Sequence, residues 1–281
     1  MYKKTIILLS FLFLCGSLFA QSNEELKQAA PLALKNEEFV LYFQPICKFN
    51  KNRICGAEVL TRWNKEGKLI PPGRFVPLFE ENGFIKGFDA YVLNHALKYL
   101  QAWKEEGLKI GFLSINISAV ELDDLEFVEY LKSLLAKYNV MPNLIEIEIT
   151  ETAEIRDKQK ANKFLTALKA SGVKVALDDF GDGYANLEKL ETFEYDTIKL
   201  SKKLLKNFPG KETKKELKNT IKILKKFSAP IIAEGIENEH EARFLKRQGV
   251  TLAQGYLYYK PMPENQFKKL LSAKLPKHCN I

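Results

Sequence analysis

The chain has 281 residues, of which 46% are hydrophobic and 28% charged, and its formal net charge is +8. A disordered chain would be poorer in apolar residues, and four cysteines are too sparse for a disulfide-stapled scaffold, so both classes are excluded. The basic excess favours an anionic ligand or surface. Nothing in it indicates binding to DNA or RNA.

The first twenty residues differ in character from the rest of the chain. Lys3 and Lys4 precede an apolar run over residues 5–14, and Ala20 can end a cleavage site. This pattern is typical of a secretory signal peptide. The apolar run is short for a helix that spans a bilayer, so an uncleaved membrane anchor over residues 5–20 is the second interpretation and a lipid-bearing Cys15 the third.

From residue 39 onward, apolar β-rich segments alternate with helical ones. We predict strands at 39–46, 54–63, 109–117, 144–150, 173–177, 197–200, 230–236 and 252–259. Helical patterns cover 88–106, 125–138, 158–171, 213–227, 239–248 and 263–273. Such alternation indicates βαβ units, and eight strands in a chain of this size predict an α/β fold of the closed (β/α)8 TIM-barrel type.

The first two predicted strands form an exception to the parallel pattern. Only the polar turn over residues 48–53 separates them, which is too short for a parallel crossover, so we expect this pair to be antiparallel. No linker rich in Pro, Gly or Ser divides the remaining sequence. We therefore predict one domain over residues 21–281, with its core at about 24–273, after a signal peptide or membrane anchor at residues 1–20.

Polar side chains occur at or near the ends of seven predicted strands. They are Glu58, Asn116, Glu148, Asp178, Asp179, Lys199, Glu234 and Gln254. In a barrel, the carboxyl ends of the strands line the active-site mouth, and buried carboxylates are costly unless they are paired or bind a cation. Each of these residues alone has an ordinary explanation, such as a helix cap or a turn, but together they predict a site.

The donor set of this site indicates which cation it would hold. The strand ends carry oxygen donors and no cysteine or histidine, which points to Mg²⁺ or Mn²⁺ rather than zinc. The adjacent Asp178 and Asp179 would resist double ionisation without a cation between them. Several carboxylates can hold two ions, the usual arrangement for activating water against a phosphodiester, and Arg62 could hold a phosphate.

One strand carries two glutamates with different expected roles. In Ile145–Ile149, the period of two puts the isoleucines on one face and Glu146 and Glu148 on the other. If the isoleucines meet the helices, both glutamates point into the barrel. We expect Glu146 to be a satisfied interior acid or to pair with a lysine, and Glu148 to belong to the site.

These motifs, in this order, resemble the EAL domain. The matching runs are Phe43–Ile46, Glu58–Leu60 with Arg62-Trp63, Asn116, Glu148–Glu151, Asp178–Gly181, Lys199, Ala233–Gly235 and Gln254–Tyr256. The signature triplet reads Glu-Val-Leu here instead of Glu-Ala-Leu. The family consists of barrel-fold phosphodiesterases of cyclic di-GMP, and the resemblance covers residues 24–273.

The resemblance implies a role for each motif residue. Glu58, Asn116, Glu148 and Asp178 would bind one Mg²⁺ or Mn²⁺, and Asp178, Asp179 and Glu234 the second. Catalysis would also involve Lys199, which orients or helps to activate the attacking water, and Glu151, which holds the loop after Asp179. Gln44, Arg62 and Gln254 would contact the dinucleotide or support the site, and the product would be linear pGpG.

Two segments depart from the family pattern. The loop after the aspartate pair usually reads Phe-Gly-Thr-Gly-Tyr-Ser-Ser, whereas this chain has Asp182 in place of the threonine and Ala185-Asn186 in place of the two serines. The sixth strand often ends in Lys-Ile-Asp, whereas here it ends in Lys199-Leu200-Ser201. These departures bear on the turnover rate and on the homodimer that the family leads us to expect.

Three hypotheses remain open at this stage. The first is a metal-dependent hydrolase of cyclic di-GMP, and the second is a weak or inactive domain that senses the dinucleotide. The third is an exported barrel that acts on another phosphodiester or serves as an interaction surface. The third arises because Lys3 and Lys4 would direct the following residues across a membrane, whereas cyclic di-GMP is a cytoplasmic molecule.

Overall fold

The computed structural model describes residues 22–273, apart from residues 50–52, 152–154, 156 and 183–186. The predicted signal peptide or anchor over residues 1–20 lies outside the described residues. Within the described ranges, no helix has both the length and the apolar character needed to cross a membrane.

Eight strands form a closed barrel. They are β1 (Phe39–Lys48), β2 (Arg53–Lys65), β4 (Leu113–Asn116), β5 (Ile145–Thr150), β6 (Lys174–Phe180), β7 (Thr197–Leu200), β8 (Ile231–Ala233) and β9 (Leu252–Ala253). They neighbour one another in this order, and β9 pairs with β1 to close the barrel. Two short strands, β3 (Lys68–Ile70) and β10 (Met262–Pro263), extend the sheet beside β2 and β1. The predicted TIM-type barrel is confirmed.

Within the barrel, the first strand runs opposite to the other seven. β1 pairs antiparallel with β2, from Phe39 opposite Trp63 to Lys48 opposite Arg53, and antiparallel with β9. The remaining neighbours in the barrel are parallel. The short connection between β1 and β2 imposes this direction, as the sequence predicted.

Helices cover the outside of the barrel. They are α1 (Asn23–Lys35), α2 (Val76–Asn82), α3 (Ile85–Glu105), α4 (Leu125–Lys137), α5 (Lys158–Ala170), α6 (Leu187–Thr192), α7 (Lys211–Leu224), α8 (Glu239–Arg247) and α9 (Glu264–Ala273). Short 3₁₀ helices lie at Pro72–Arg74, Ala119–Asp123, Pro142–Leu144 and Lys202–Leu205. The sequence interpretation missed α1, α2 and α6, and it placed the start of α3 three residues late.

The missed helix α1 has a local signal in the sequence. The Ser22 hydroxyl accepts a hydrogen bond from the backbone N–H of Glu25, whose carboxylate accepts one from the backbone N–H of Ser22. This reciprocal capping box satisfies donors that the first turn leaves unpaired. A search by hydrophobic periodicity does not detect it.

The core lies between the strands and the helices. Ile145, Ile147 and Ile149 of β5 are buried in this layer with apolar residues of α4 and α5. At the carboxyl end of β2, Phe39 packs against Trp63 and Phe88, with ring centroids 4.9 and 5.1 Å apart. Because the apolar side chains of the strands face outward to the helices, the polar side chains on the opposite faces point into the barrel.

Candidate active site

A buried lysine lies at the centre of the carboxylate group. The Nζ atom of Lys199, on β7, is 2.9 Å from one oxygen each of Glu148, Asp178 and Glu234, and 3.3 Å from an oxygen of Glu58. The lysine side chain has no solvent exposure. Each acid follows or belongs to a different strand, so the barrel itself brings them together. We call this group the carboxylate cage.

The charges of the cage perturb one another. Burial lowers the pKa of Lys199, but its four acidic neighbours outweigh burial and raise that pKa well above its usual value. Burial raises the pKa of Glu234 to about 8 and that of Glu148 well above its usual value, although Lys199 opposes both shifts. One lysine does not balance four acids, so the cage favours additional positive charge.

Amide side chains hold one wall of the cage. Asn116 Nδ2 donates to Glu58 Oε1 at 2.9 Å, and Gln254 Nε2 donates to Glu58 Oε2 at 2.6 Å and to Gln44 Oε1 at 3.1 Å. Gln44 in turn donates to the carbonyl of Tyr259 at 3.2 Å. This chain of hydrogen bonds orients the Glu58 carboxylate from both sides.

The aspartate pair reaches the cage through an unusual backbone conformation. Asp179 has φ +54°, in the left-handed region that non-glycine residues seldom adopt. One oxygen each of Asp178, Asp179 and Glu234 lie within 4.8 Å of one another. Burial, followed by the charges of Asp178 and Asp182, raises the pKa of Asp179 to about 6.

The residues fit a site for hard divalent cations. Glu148 Oε1 and Gln254 Oε1 are buried and accept no hydrogen bond from any described residue. Such oxygens are costly to bury unless something coordinates them. The donors are carboxylate and amide oxygens, as Mg²⁺ and Mn²⁺ prefer, and the group of Asp178, Asp179 and Glu234 can hold an ion.

Glu151 and a glycine fix the turn that follows the aspartate pair. Glu151 Oε2 accepts a hydrogen bond from the backbone N–H of Gly181 at 2.8 Å. Gly181 has φ +97°, and a Cβ atom there would lie 2.4 Å from Leu204 Cδ1. Glu151 therefore reaches this turn, and its own backbone N–H donates a hydrogen bond to the carbonyl of Asp178, a cage acid, at 2.8 Å.

Arg62 lies outside the cage network. Its guanidinium donates to the carbonyl of Thr61 at 2.8 Å and lies 5.7 Å from the centre of the Tyr42 ring. Among the described ion pairs, none joins Arg62 to a cage acid. The other predicted site residues on the strands contact the cage or the chain of amides.

Glu146 is confirmed as a satisfied interior acid. Ser114 Oγ and Thr197 Oγ1 donate to its two carboxylate oxygens at 2.7 and 2.6 Å. Its partners are hydroxyls and not the lysine that the sequence allowed. Burial still raises the pKa of Glu146 above its usual value, against the effect of both hydrogen bonds.

A groove of about 1100 Å³ lies beside the cage, and sequence reasoning missed most of its polar lining. Glu58, Asn116 and Asp179 line it together with Asp89 and Glu80. Asp89 Oδ2 accepts a hydrogen bond from the backbone N–H of Ser118 at 2.9 Å, and burial raises its pKa well above its usual value. The signal available in the sequence was Asp89 itself, an acid next to Phe88 on the buried face of α3.

Comparison with known proteins identifies the family. A profile of the EAL domain matches residues 24–261. The chain therefore belongs to the EAL domain family, whose solved members share this barrel.

The relatives have names that bear on function. The chain is 31% identical over 239 residues to the cyclic di-GMP phosphodiesterase PdeR of Escherichia coli, a match that covers 84% of this chain and 36% of PdeR. It is 29% identical over 260 residues to the bifunctional diguanylate cyclase/cyclic di-GMP phosphodiesterase MucR of Pseudomonas aeruginosa, covering 91% and 38%. The chain thus spans little more than a third of these relatives.

Two solved structures are similar to the whole barrel. One is described as the PaMucR phosphodiesterase in complex with c-di-GMP, with a TM-score of 0.80, 28% identity, and coverage of 86% of this chain and 99% of that one. The other is the EAL enzyme Bd1971 in a form bound to cAMP and cyclic di-GMP, with a TM-score of 0.82, 28% identity, and coverage of 94% and 74%.

Proposed function

We propose that this chain hydrolyses one phosphodiester bond of cyclic di-GMP and releases linear pGpG, with two Mg²⁺ or Mn²⁺ ions as cofactors. The observation that carries the proposal is the cage: acids from four strands converge on one buried lysine, and Asp179 joins two of them. Relatives named as phosphodiesterases of this dinucleotide support the choice of substrate.

Each part of the site has a proposed task. Glu58, Asn116, Glu148 and Asp178 would hold one ion, and Asp178, Asp179 and Glu234 the other. When bound, such a pair of ions activates water and stabilises the charge that develops on the phosphate.

Lys199 has the central role among the side chains. Its ammonium contacts acids assigned to both ions and stays charged, so it holds their carboxylates in place and can donate a hydrogen bond to the attacking water. Glu151 holds the turn that carries Asp179, and Gln44 and Gln254 hold Glu58. The groove takes the dinucleotide, and Arg62, at the end of β2, binds a phosphate.

The test is a product assay. The purified full-length chain is incubated with cyclic di-GMP and Mn²⁺ or Mg²⁺, and the products are separated by liquid chromatography and identified by mass. We expect linear pGpG, its loss on chelation, and its loss in Asp179→Asn. Tight binding of cyclic di-GMP without cleavage would refute the hydrolase and favour the sensor.

We also propose that residues 1–20 direct the chain to a membrane, as an anchor or an export signal, and that the barrel forms a homodimer. Protease added to intact spheroplasts tests the location, since only an exported barrel is digested. An exported barrel would favour another phosphodiester as substrate. Light scattering coupled to size-exclusion chromatography tests the dimer.

A further inference from the structure

Asp182 and Ser201, two of the residues that depart from the family pattern, meet in the structure. Ser201 Oγ, after β7, donates a hydrogen bond to Asp182 Oδ1, in the turn after β6. The second oxygen, Asp182 Oδ2, is 2.5 Å from Lys203 Nζ. The Asp182 side chain is only 11% exposed. Both carboxylate oxygens of a nearly buried acid are therefore paired, one with a hydroxyl and one with a lysine.

Asp182 is directly connected to the aspartate pair. Its backbone N–H donates to the carbonyl of Asp179 at 3.0 Å, which closes the turn. The preceding residue, Gly181, is held from the other side by Glu151. The turn that carries Asp179 is thus held at Gly181 by Glu151 and at Asp182 by Ser201 and Lys203.

We infer that Asp182 and Ser201 are a donor–acceptor pair with exchanged polarity, and that this pair positions the turn that presents Asp179 to the cage. The family usually has a hydroxyl residue at 182 and an acid at 201, whereas this chain has the acid at 182 and the hydroxyl at 201. One carboxylate and one hydroxyl are present in either arrangement, so a hydrogen bond between positions 182 and 201 is possible in both, and this chain forms it with Ser201 as the donor.

Lys203 completes the arrangement. The acid lies on the turn, three residues from Asp179, and adds a negative charge close to the cage. Lys203 neutralises it: a side-chain hydrogen bond to Asp182 raises the pKa of Lys203. Asp182, Ser201 and Lys203 are therefore positioning residues, and the departures do not imply a damaged site. This inference rests on the proposed metal site.

The experiment is a double-mutant cycle of Asp182→Thr, Ser201→Asp and the double variant, which restores the family's usual polarity. Ser201→Asp alone sets two carboxylates against each other. We expect it to weaken Mn²⁺ binding by about 10- to 100-fold, the usual effect of losing an outer-sphere partner, and to speed amide hydrogen exchange at Asp182. The double variant should recover to within about threefold of the parent, a non-additivity typical of groups in contact.

The outcomes separate this inference from the proposed function. Equal impairment in Ser201→Asp and in the double variant would overturn the pair. Should Ser201→Asp not fold, Ser201→Ala and Ser201→Thr replace it: only the alanine variant should lose protection at Asp182, and equal exchange rates overturn the pair. If the double variant recovers Mn²⁺ affinity and amide protection at Asp182 but the parent shows no turnover, the proposed hydrolase is refuted and the inferred pair stands. If the parent binds no Mn²⁺, the exchange rates alone decide.

Ser133→Asp is the matched control. Ser133 is an exposed residue of α4, far in sequence from the turn, and its hydroxyl donates only to a backbone carbonyl. The same added charge there should leave Mn²⁺ affinity and the exchange of Asp182 unchanged. A similar loss in this control would show that added charge, and not the pair, causes the effect.

Discussion

Glu146 and Glu148 lie two residues apart on the same strand, both inside the barrel, yet their surroundings differ. Glu146 has a hydroxyl on each oxygen, and among the described ion pairs none includes it. Glu148 faces Lys199 with one oxygen and has nothing on the other among the described residues. The comparison shows that burial alone does not make a site: one acid is satisfied by the fold, and the other is left available.

Lys199→Met gives the largest expected effect, because it leaves the cage acids without their cation. Removing one partner of a buried ion pair costs about 3–5 kcal/mol of the free energy of unfolding. Urea unfolding in chelator measures the loss, and added Mn²⁺ should recover part of it. Lys174→Met, at the other end of the barrel, is the control and should cost far less. Equal losses of the free energy of unfolding in the two variants would show that Lys199 matters no more to stability than a lysine outside the cage.

Glu148→Gln tests the acid that the fold leaves available. The amide keeps the shape but removes a charge, so we expect Mn²⁺ to lose most of its stabilising effect and turnover to fall by about 100-fold or more. The measurements are the midpoint of thermal unfolding with and without Mn²⁺, and the product assay. Undiminished stabilisation by Mn²⁺ would remove Glu148 from the site.

Glu121 offers a third buried acid, in the 3₁₀ helix before α4. Burial raises its pKa from 4.5 to about 7, so its ionised form is disfavoured in the folded state. The parent should therefore lose stability as the pH rises from about 4.5 to about 7. Glu121→Gln removes this loss and should be more stable than the parent by about 2 kcal/mol at high pH.

Urea unfolding at about pH 5 and about pH 8 checks the prediction for Glu121. Glu216→Gln, at an exposed position of α7, is the control and should show no such pH-dependent gain. If both variants respond alike, the pH dependence comes from net charge and not from burial.

Glu146→Gln gives the smallest expected effect. Hydroxyls can accept as well as donate, so Ser114 and Thr197 can pair with an amide, and stability should change by less than about 1 kcal/mol. Turnover and Mn²⁺ affinity should stay at the parent level. A loss of metal binding in this variant would erase the distinction between the two glutamates.

Much of the fold could be predicted from the sequence because its signals are local. The alternation of β-rich and helical segments indicates the barrel, and the short turn between β1 and β2 sets their direction. The isoleucine spacing of β5 places Glu146 and Glu148 inside. The strand ends could not be predicted in this way: the predicted strand at 252–259 is only Leu252–Ala253, which pairs with β8 on one side and with β1 on the other.

The sequence predicted which residues form the site but not how they contact one another. That Glu58, Glu148 and Glu234 meet follows from barrel geometry, but no spacing in the sequence shows that one lysine would contact all of them. The bond between Ser201 and Asp182 joins two loops after neighbouring strands, so it depends on how those loops pack. Considered alone, each of these two residues looks like the loss of a residue that the family pattern leads us to expect.

The left-handed backbone at Asp179 restricts which replacements the chain can accept there. Glycine, asparagine and aspartate tolerate that conformation best. Glycine and asparagine would keep the bend while discarding a negative charge. A single nucleotide change can convert Asp179 to glycine or to asparagine. Such a change would keep the backbone bend and remove the carboxylate, which gives descendants of such a barrel a short evolutionary path from cleaving a ligand to binding it without cleavage.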